Sequence, residues 1–261
     1  MAEFVTVDRD GDIAVLKLNR PEAFNAFNLD VVKNMGNHLT RLSMDTSVRC
    51  VIVIGEGKAF CAGGDLKWAQ GHSGGMPAAF HELASRFHLA TVEIRRMKKP
   101  VIAAVNGVAA GAGFSLAMAC DFRVMVKSAI FRQAYTSAGL CIDGGGTFTL
   151  PRLVGIARAL EIAAFDKPIS AEQALEWGLV TKVVNDGKAL EEAMVMAKDL
   201  ADRSIHSFGL SKELINDSFN TSFERQLERE RDGLCTCADH KDGIEGIDAF
   251  TNKRKPVFNP K

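Results

Sequence analysis

Val101-Ile102-Ala103-Ala104-Val105-Asn106-Gly107-Val108-Ala109-Ala110-Gly111-Ala112-Gly113 is the stretch whose reading organises the chain. Its first residues, Val101 to Val105, are uniformly apolar, the pattern of a buried strand. Small residues follow, and an apolar helix opens at about Gly113 and runs to Cys120. A strand that leads through glycines into a helix brings backbone N–H groups to the start of that helix, where no intrahelical acceptor takes them and negative charge is favoured.

The same alternation continues to either side. Ile13 to Leu18 reads as a strand, Asn19-Arg20-Pro21 breaks it, and apolar residues at helical spacing run from Leu29 to Leu42. Cys50 to Ile54 is a second apolar strand, followed after a glycine-containing loop by a helical Met76 to Met97, and Phe122 to Val126 is another strand. Strands alternating with helices give an α/β class. From Gly155 the chain reads as helical: Ile156 to Phe165, a helix capped by Ser170 in a near capping box, Ala189 to Ala201, Ser204 to about Leu234, and Gly243 to Lys253. We therefore expect a core at 1–190 and a helical C-terminal region at 191–261. Gly71 to Pro77 reads as a mobile loop, either a connector or a substrate lid.

Composition limits the function classes. The 261 residues are 47% apolar and 25% charged, with zero formal net charge and no dense basic or acidic block. Neither a nucleic acid nor a membrane surface has electrostatic support as a partner, so a small molecule is expected. No uninterrupted apolar run of about 18 residues occurs, and Met1-Ala2-Glu3 lacks the features of a signal peptide; a cytoplasmic location is expected. The six cysteines have no paired CxxC spacing and are read as reduced and mostly structural, with no metal site.

Two glycine-rich segments carry the chemistry. Gly107 to Gly113 lacks the order and the later acidic residue of a dinucleotide fingerprint, and it has no phosphate-loop Gly-Lys-Ser/Thr. Ala59 to Lys67 follows the second apolar strand in the same manner, with Asp65 placed for an early-turn carboxylate. Tight packing of helix on strand would explain the first set of glycines, and a turn with a helix start the second. Two such transitions in adjacent units would also supply two convergent N–H donors, the arrangement of an oxyanion hole.

Several segments resemble the motifs of the crotonase superfamily, the enoyl-CoA hydratases and isomerases. They are Asn19 to Ala26, Ala59 to Lys67, Lys99 to Gly107 with Gly111 to Asp121, Ser170 to Val180, and Ala249 to Arg254. They run in family order along nearly the whole chain and mark the superfamily rather than one reaction. The resemblance implies a crotonase-like spiral of ββα units with a C-terminal helical trimerisation region, assembled as a homotrimer or a dimer of trimers. It implies an acyl-CoA substrate, with coenzyme A as part of the substrate and no other cofactor. Gly64 and Ala112 would donate the two N–H groups to the thioester oxygen. Ala23, Ala62, Asp65, Leu66 and Lys67 would border the CoA, as would Phe250 and Lys253, often those of a neighbouring subunit.

A hydratase of this superfamily uses two glutamates, and this chain has Ser115 and Tyr135 in those places. Neutral hydroxyls are poor proton acceptors, so ordinary hydration is disfavoured. Asp143 remains, in a mostly apolar, glycine-rich stretch that would raise its pKa. By itself an Asp before Gly reads as a turn or cap residue; the resemblance makes it the acid/base of an isomerase that shifts a double bond, or rearranges a ring, through an enolate. Among the family's isomerases the stretch from Gln133 to Gly155 looks most like the ring-epoxide phenylacetyl-CoA isomerases. His88 falls where 4-chlorobenzoyl-CoA dehalogenases carry a histidine, which leaves open a hydrolase or dehalogenase with Asp143 as nucleophile. An atypical hydratase and an inactive CoA-ligand binder also remain as alternatives. His88 can equally be a packed or surface residue, and Tyr135, the sole tyrosine, can line the acyl pocket or fill the core.

Overall fold

A computed structural model of the protein describes residues 3–258. Two β-sheets form its core. The larger has six strands in the order β1 (Val5–Asp10), β2 (Ile13–Leu18), β3 (Cys50–Gly55), β5 (Val101–Val105), β7 (Phe122–Val126) and β10 (Lys182–Val184). The smaller has four, in the order β4 (Ala59–Cys61), β6 (Val108–Ala110), β8 (Ile130–Arg132) and β9 (Ile169–Ser170). Every residue of β3 and β5 is buried, as strands of a parallel sheet covered on both faces must be.

The chain climbs as a spiral. In three successive turns a long strand of the larger sheet (β3, β5, β7) rounds a short corner into a short strand of the smaller one (β4, β6, β8). A helical segment then leads back: α2 (Leu66–Gln70) and α3 (Gly75–Arg96) after β4, α4 (Ala112–Ala119) after β6. Successive turns pair in parallel register, Val51 with Val101 and Ile102 with Phe122 in one sheet, Ala59 with Val108 and Ala109 with Phe131 in the other. Parallel pairs require such crossovers, which is why strands and helices alternate along the sequence. The α/β spiral implied by the motifs is the observed architecture.

Polar side chains hold the corners. Asn106 joins the β3 and β5 ends, accepting from the Gly55 N–H at 3.2 Å and donating to the Gly55 and Gly57 carbonyls. Asn25, buried and left-handed at φ 58°, donates to the carbonyls of Glu56 and Ala59. Helix α1 (Leu29–Met44) packs on α3, and α7 (Ala189–Ala201) lies across β2, β3, β5 and β7.

Several expectations need correction. Gly71 to Pro77 is not one loop: α3 begins at Gly75, and Pro77 sits in its first turn, where its missing N–H has no intrahelical partner to lose. The helix expected from Ile156 begins earlier, as α5 (Gly146–Phe165), and bends at Gly155, whose φ of 76° is not helical. Beyond it, α6 (Ala171–Glu176) carries the full capping box of Ser170 and Gln173. The helix expected over Ser204 to Leu234 is two, α8 (Ile205–Asp217) and α9 (Phe223–Asp239), parted by a single 3-10 turn and restarted by the Ser222 cap. Helix α10 (Lys241–Thr251) closes the described chain. No helix among the described residues is long and apolar enough to cross a membrane.

A buried ion pair fastens the C-terminal helices to the core. From α8, Lys212 donates to Asp121 Oδ2 at 2.7 Å and to the carbonyls of Ile94 and Lys99, while Asp121 also accepts from the Val101 N–H. Burial pushes the Asp121 carboxyl upward, and the Lys212 charge opposes this. Lys212→Met leaves that carboxylate unpaired, so we expect a loss of about 3–5 kcal/mol in urea unfolding; a loss below about 1 kcal/mol would show that the pair does not hold the region.

Candidate active site

A cavity of about 580 Å³ opens between the glycine turns, α3 and the segment before α5. Phe80, Leu83, Ala84 and Phe87 of α3 form one wall at helical spacing, Phe27 lies among them, and Leu140 and Ile142 face them. Sequence reading found α3 as a helix but not which face borders the cavity; the i, i+3, i+4, i+7 spacing of those four residues was the available signal.

One end is built by the two glycine turns. Phe27 donates to the Gly63 carbonyl at 2.7 Å and accepts from the Asp65 N–H at 2.8 Å, so the Gly64 N–H between them points away from Phe27. Ala112 is the first residue of α4, where an N–H has no acceptor inside the helix. Neither N–H has an acceptor among the described residues, and both residues line the cavity.

The turns touch through their backbones. A Cβ added to Gly113 would lie 2.1 Å from the Cys61 carbonyl oxygen, so only glycine lets α4 start this close to β4. Gly63 and Gly111 meet face to face, both at positive φ. Two N–H donors held by rigid backbone beside a helix N-terminus can hold an anionic oxygen.

The other end carries Asp143. Its Oδ1 lies 2.6 Å from His88 Nε2, and with the carboxylate ionised the imidazole N–H donates. No hydrogen bond from the described residues reaches Oδ2. The Asp143 side chain is 36% exposed, so its surroundings are wetter than the apolar sequence context implied. Next to it, Gly144 adopts φ 65° and presses on α3: a Cβ there would fall 2.2 Å from Phe87 Cε1. That contact seats the Asp143 backbone one residue away from where His88 leaves the same helix.

Ser115, on α4, donates to the Asp143 carbonyl at 2.6 Å. Its single hydrogen is thereby used, so at the 3.2 Å contact between the two hydroxyls Tyr135 is the donor. A chain from Tyr135 to Ser115 to the Asp143 backbone thus ties Asp143 to the helix that presents the Ala112 N–H. Burial pushes the Tyr135 phenol well above its ordinary value, and the nearby Asp143 charge adds to this.

Ala62, Gly64, Leu66, Ala112, Tyr135 and Asp143 line the cavity, and His88 reaches it through Asp143. Asp65 does not line it; its carboxylate caps α2 through the Trp68 N–H and pairs with Arg20 at 2.7 Å. Burial raises that carboxyl, but these two partners outweigh it and hold the group below its usual range. Ala23, Lys67, Phe250 and Lys253 also lie outside the lining, and Phe250 and Lys253 sit exposed around the end of α10. All six cysteines are free; Cys50, Cys61 and Cys120 are buried, which pushes each thiol up to about 12, while Cys141 lines the cavity.

The family model described as enoyl-CoA hydratase/isomerase matches residues 8–261. The chain is 37% identical over 262 residues to a 1,2-epoxyphenylacetyl-CoA isomerase of Escherichia coli (strain K12), covering 100% of both chains. It is 36% identical over 258 residues to a crotonyl-CoA hydratase of Syntrophomonas wolfei, covering 98% of each. Among solved structures, an enoyl-CoA hydratase from Polaromonas sp. JS666 superposes with a TM-score of 0.92 at 38% identity, over 97% of this chain and 98% of that one.

Because Tyr135 is the sole tyrosine, phenolate absorbance reads it directly. Its raised folded-state pKa means that the folded protein holds the proton more tightly than the unfolded chain. Stability from this source is full below the unfolded value of about 10 and is lost as pH rises beyond it. We expect no tyrosinate signal at pH 10 in the folded protein and an immediate signal there in denaturant; half-ionisation at pH 10 in the folded state would contradict the buried placement.

Proposed function

We propose that this chain, which belongs to the enoyl-CoA hydratase/isomerase family, is an acyl-CoA isomerase in which Asp143 moves a proton and the Gly64 and Ala112 amides hold the enolate. One observation carries the reading: among the described residues, Asp143 is the only carboxylate lining the cavity that also presents those two N–H groups.

Asp143 takes a proton from a carbon conjugated to the thioester, and the electron pair of that C–H bond moves onto the thioester oxygen. Two fixed donors stabilise the resulting oxyanion; where such a donor is a removable side chain, its loss costs about 3–4 kcal/mol. The Asp143 carboxylic acid then returns the proton to another carbon, completing the shift of the double bond without net change in composition. His88 fixes one carboxylate oxygen and leaves the other for the substrate. Phe27, Phe80, Leu83 and Phe87 suit an apolar acyl group, ring-derived or aliphatic. No metal or redox step enters the scheme. In a trimeric assembly Phe250 and Lys253 would border the nucleotide of a neighbouring copy.

Hydration fits less well. Ser115 has spent its hydrogen on a backbone carbonyl, and Tyr135 is a neutral phenol, so neither supplies the second carboxylate that activates water. The 2.6 Å pairing of His88 with Asp143 favours one other reading, in which Asp143 attacks as a nucleophile and His88 activates the water that releases it.

Asp143→Asn separates these outcomes. We expect its isomerase kcat to fall by about 10²–10⁴-fold, with deuterium exchange at the substrate carbons abolished and affinity for a CoA thioester within a few-fold. Wild-type turnover in this variant would sink the assignment. A covalent acyl or aryl adduct on Asp143, detected by mass spectrometry after rapid quenching, would replace the isomerase with the nucleophilic enzyme.

A further inference from the structure

A second cavity, of about 340 Å³, lies at the far ends of α3 and α4 and shares no lining residue with the first. Among the described residues its walls carry Arg95, Arg123, Arg152 and Lys212 against a single carboxylate, Asp121. Two of these cations are accounted for. Arg123 donates to the carbonyls of Ala117, Cys120 and Leu179, satisfying the end of α4, and Lys212 holds Asp121 and the carbonyls of Ile94 in the last turn of α3 and of Lys99 beyond it.

Arg95 and Arg152 are not neutralised in this way. The Arg152 guanidinium carbon lies over two rings, 3.4 Å from the centroid of Phe148 and 4.8 Å from that of Phe219, so aromatic contacts hold the group in place. Of the five N–H donors a guanidinium offers, one is used, on the Phe148 carbonyl. Its Nε is buried with no acceptor among the described residues. Arg95 stands over the same Phe148 ring at 4.7 Å, and no carboxylate among the described residues pairs with either arginine. Asp217, which lies near, is held by Arg229 at 2.9 Å. Burial pushes Arg95 below its ordinary value and the Arg152 charge pushes the same way, while the charges of Asp121 and Asp217 oppose them in part. Two like charges that share one ring, with N–H groups that no carboxylate among the described residues takes, can share one anionic acceptor.

We propose that the Arg95–Phe148–Arg152 cluster is a binding site for a small oxyanion of the phosphate or carboxylate class, separate from the acyl-CoA cavity. Both guanidinium groups lie over the Phe148 ring, and the Arg152 fork offers the paired N–H groups that such an anion accepts.

Inorganic phosphate titrated calorimetrically into the full-length protein, at constant ionic strength and with chloride as the control, tests this. The expected result is saturable binding at one site per chain, at least tenfold weaker in Arg95→Met and also weakened in Arg152→Lys, which keeps the charge and the fold but loses the fork. Saturating acetyl-CoA should leave the phosphate isotherm unchanged. Absence of saturable binding, or wild-type affinity in both variants, overturns the proposal, as does displacement of phosphate by acetyl-CoA. If phosphate does not bind and both variants instead change the sedimentation coefficient, the acceptor is an acidic side chain of a second copy and the small-anion site is refuted.

Discussion

The backbone contact between the two glycine turns is the constraint on which the rest depends. Because Gly113 has no Cβ, α4 can begin against the Cys61 carbonyl, and because Gly63 and Gly111 take positive φ, their turns can meet. Any larger residue at Gly113 would push the Ala112 N–H away from that of Gly64. Sheet register reinforces the contact, since β4 pairs with β6 and each turn leaves its strand at the same level of the spiral. The fold therefore supplies the two N–H groups from backbone alone, in positions that side-chain substitution elsewhere leaves in place.

What the sequence displayed, and what it hid, follows from element length. Cys50 to Gly55 and Val101 to Val105 are buried throughout, and such runs stand out without any periodicity. The smaller sheet was invisible: β4, β6 and β8 have three residues each and β9 two, too short to show alternation, and their places are set by corners such as that of Asn106. Gly145, Gly146 and Pro151 disguised the first half of α5, because glycine and proline weaken a helical reading that tertiary packing here overrides.

The site was legible unevenly. The glycine turns could be read from strand-to-helix transitions, whereas the places of Ser115 and Tyr135 came from the resemblance, and side-chain chemistry added only that neither is a base. The contact of His88 with Asp143 joins residues 55 positions apart and leaves no local trace; only a resemblance raised it, beside a plain surface reading. The pressure of Gly144 on Phe87, which aligns the two, is a property of packing between elements and has no sequence pattern of its own.

Arg20, Asn25, Asp65 and Asn106, which lie within the segments that resemble a family signature, spend their polar groups on corners, caps and one ion pair. They hold scaffold. Ser115, Tyr135 and Asp143 instead form a small hydrogen-bonded cluster that hangs from α4 and bears on none of those corners. The corners and the cluster thus draw on different side chains. A chain that kept the corner residues and changed those at 115, 135 and 143 would keep this shape while facing the cavity with other groups.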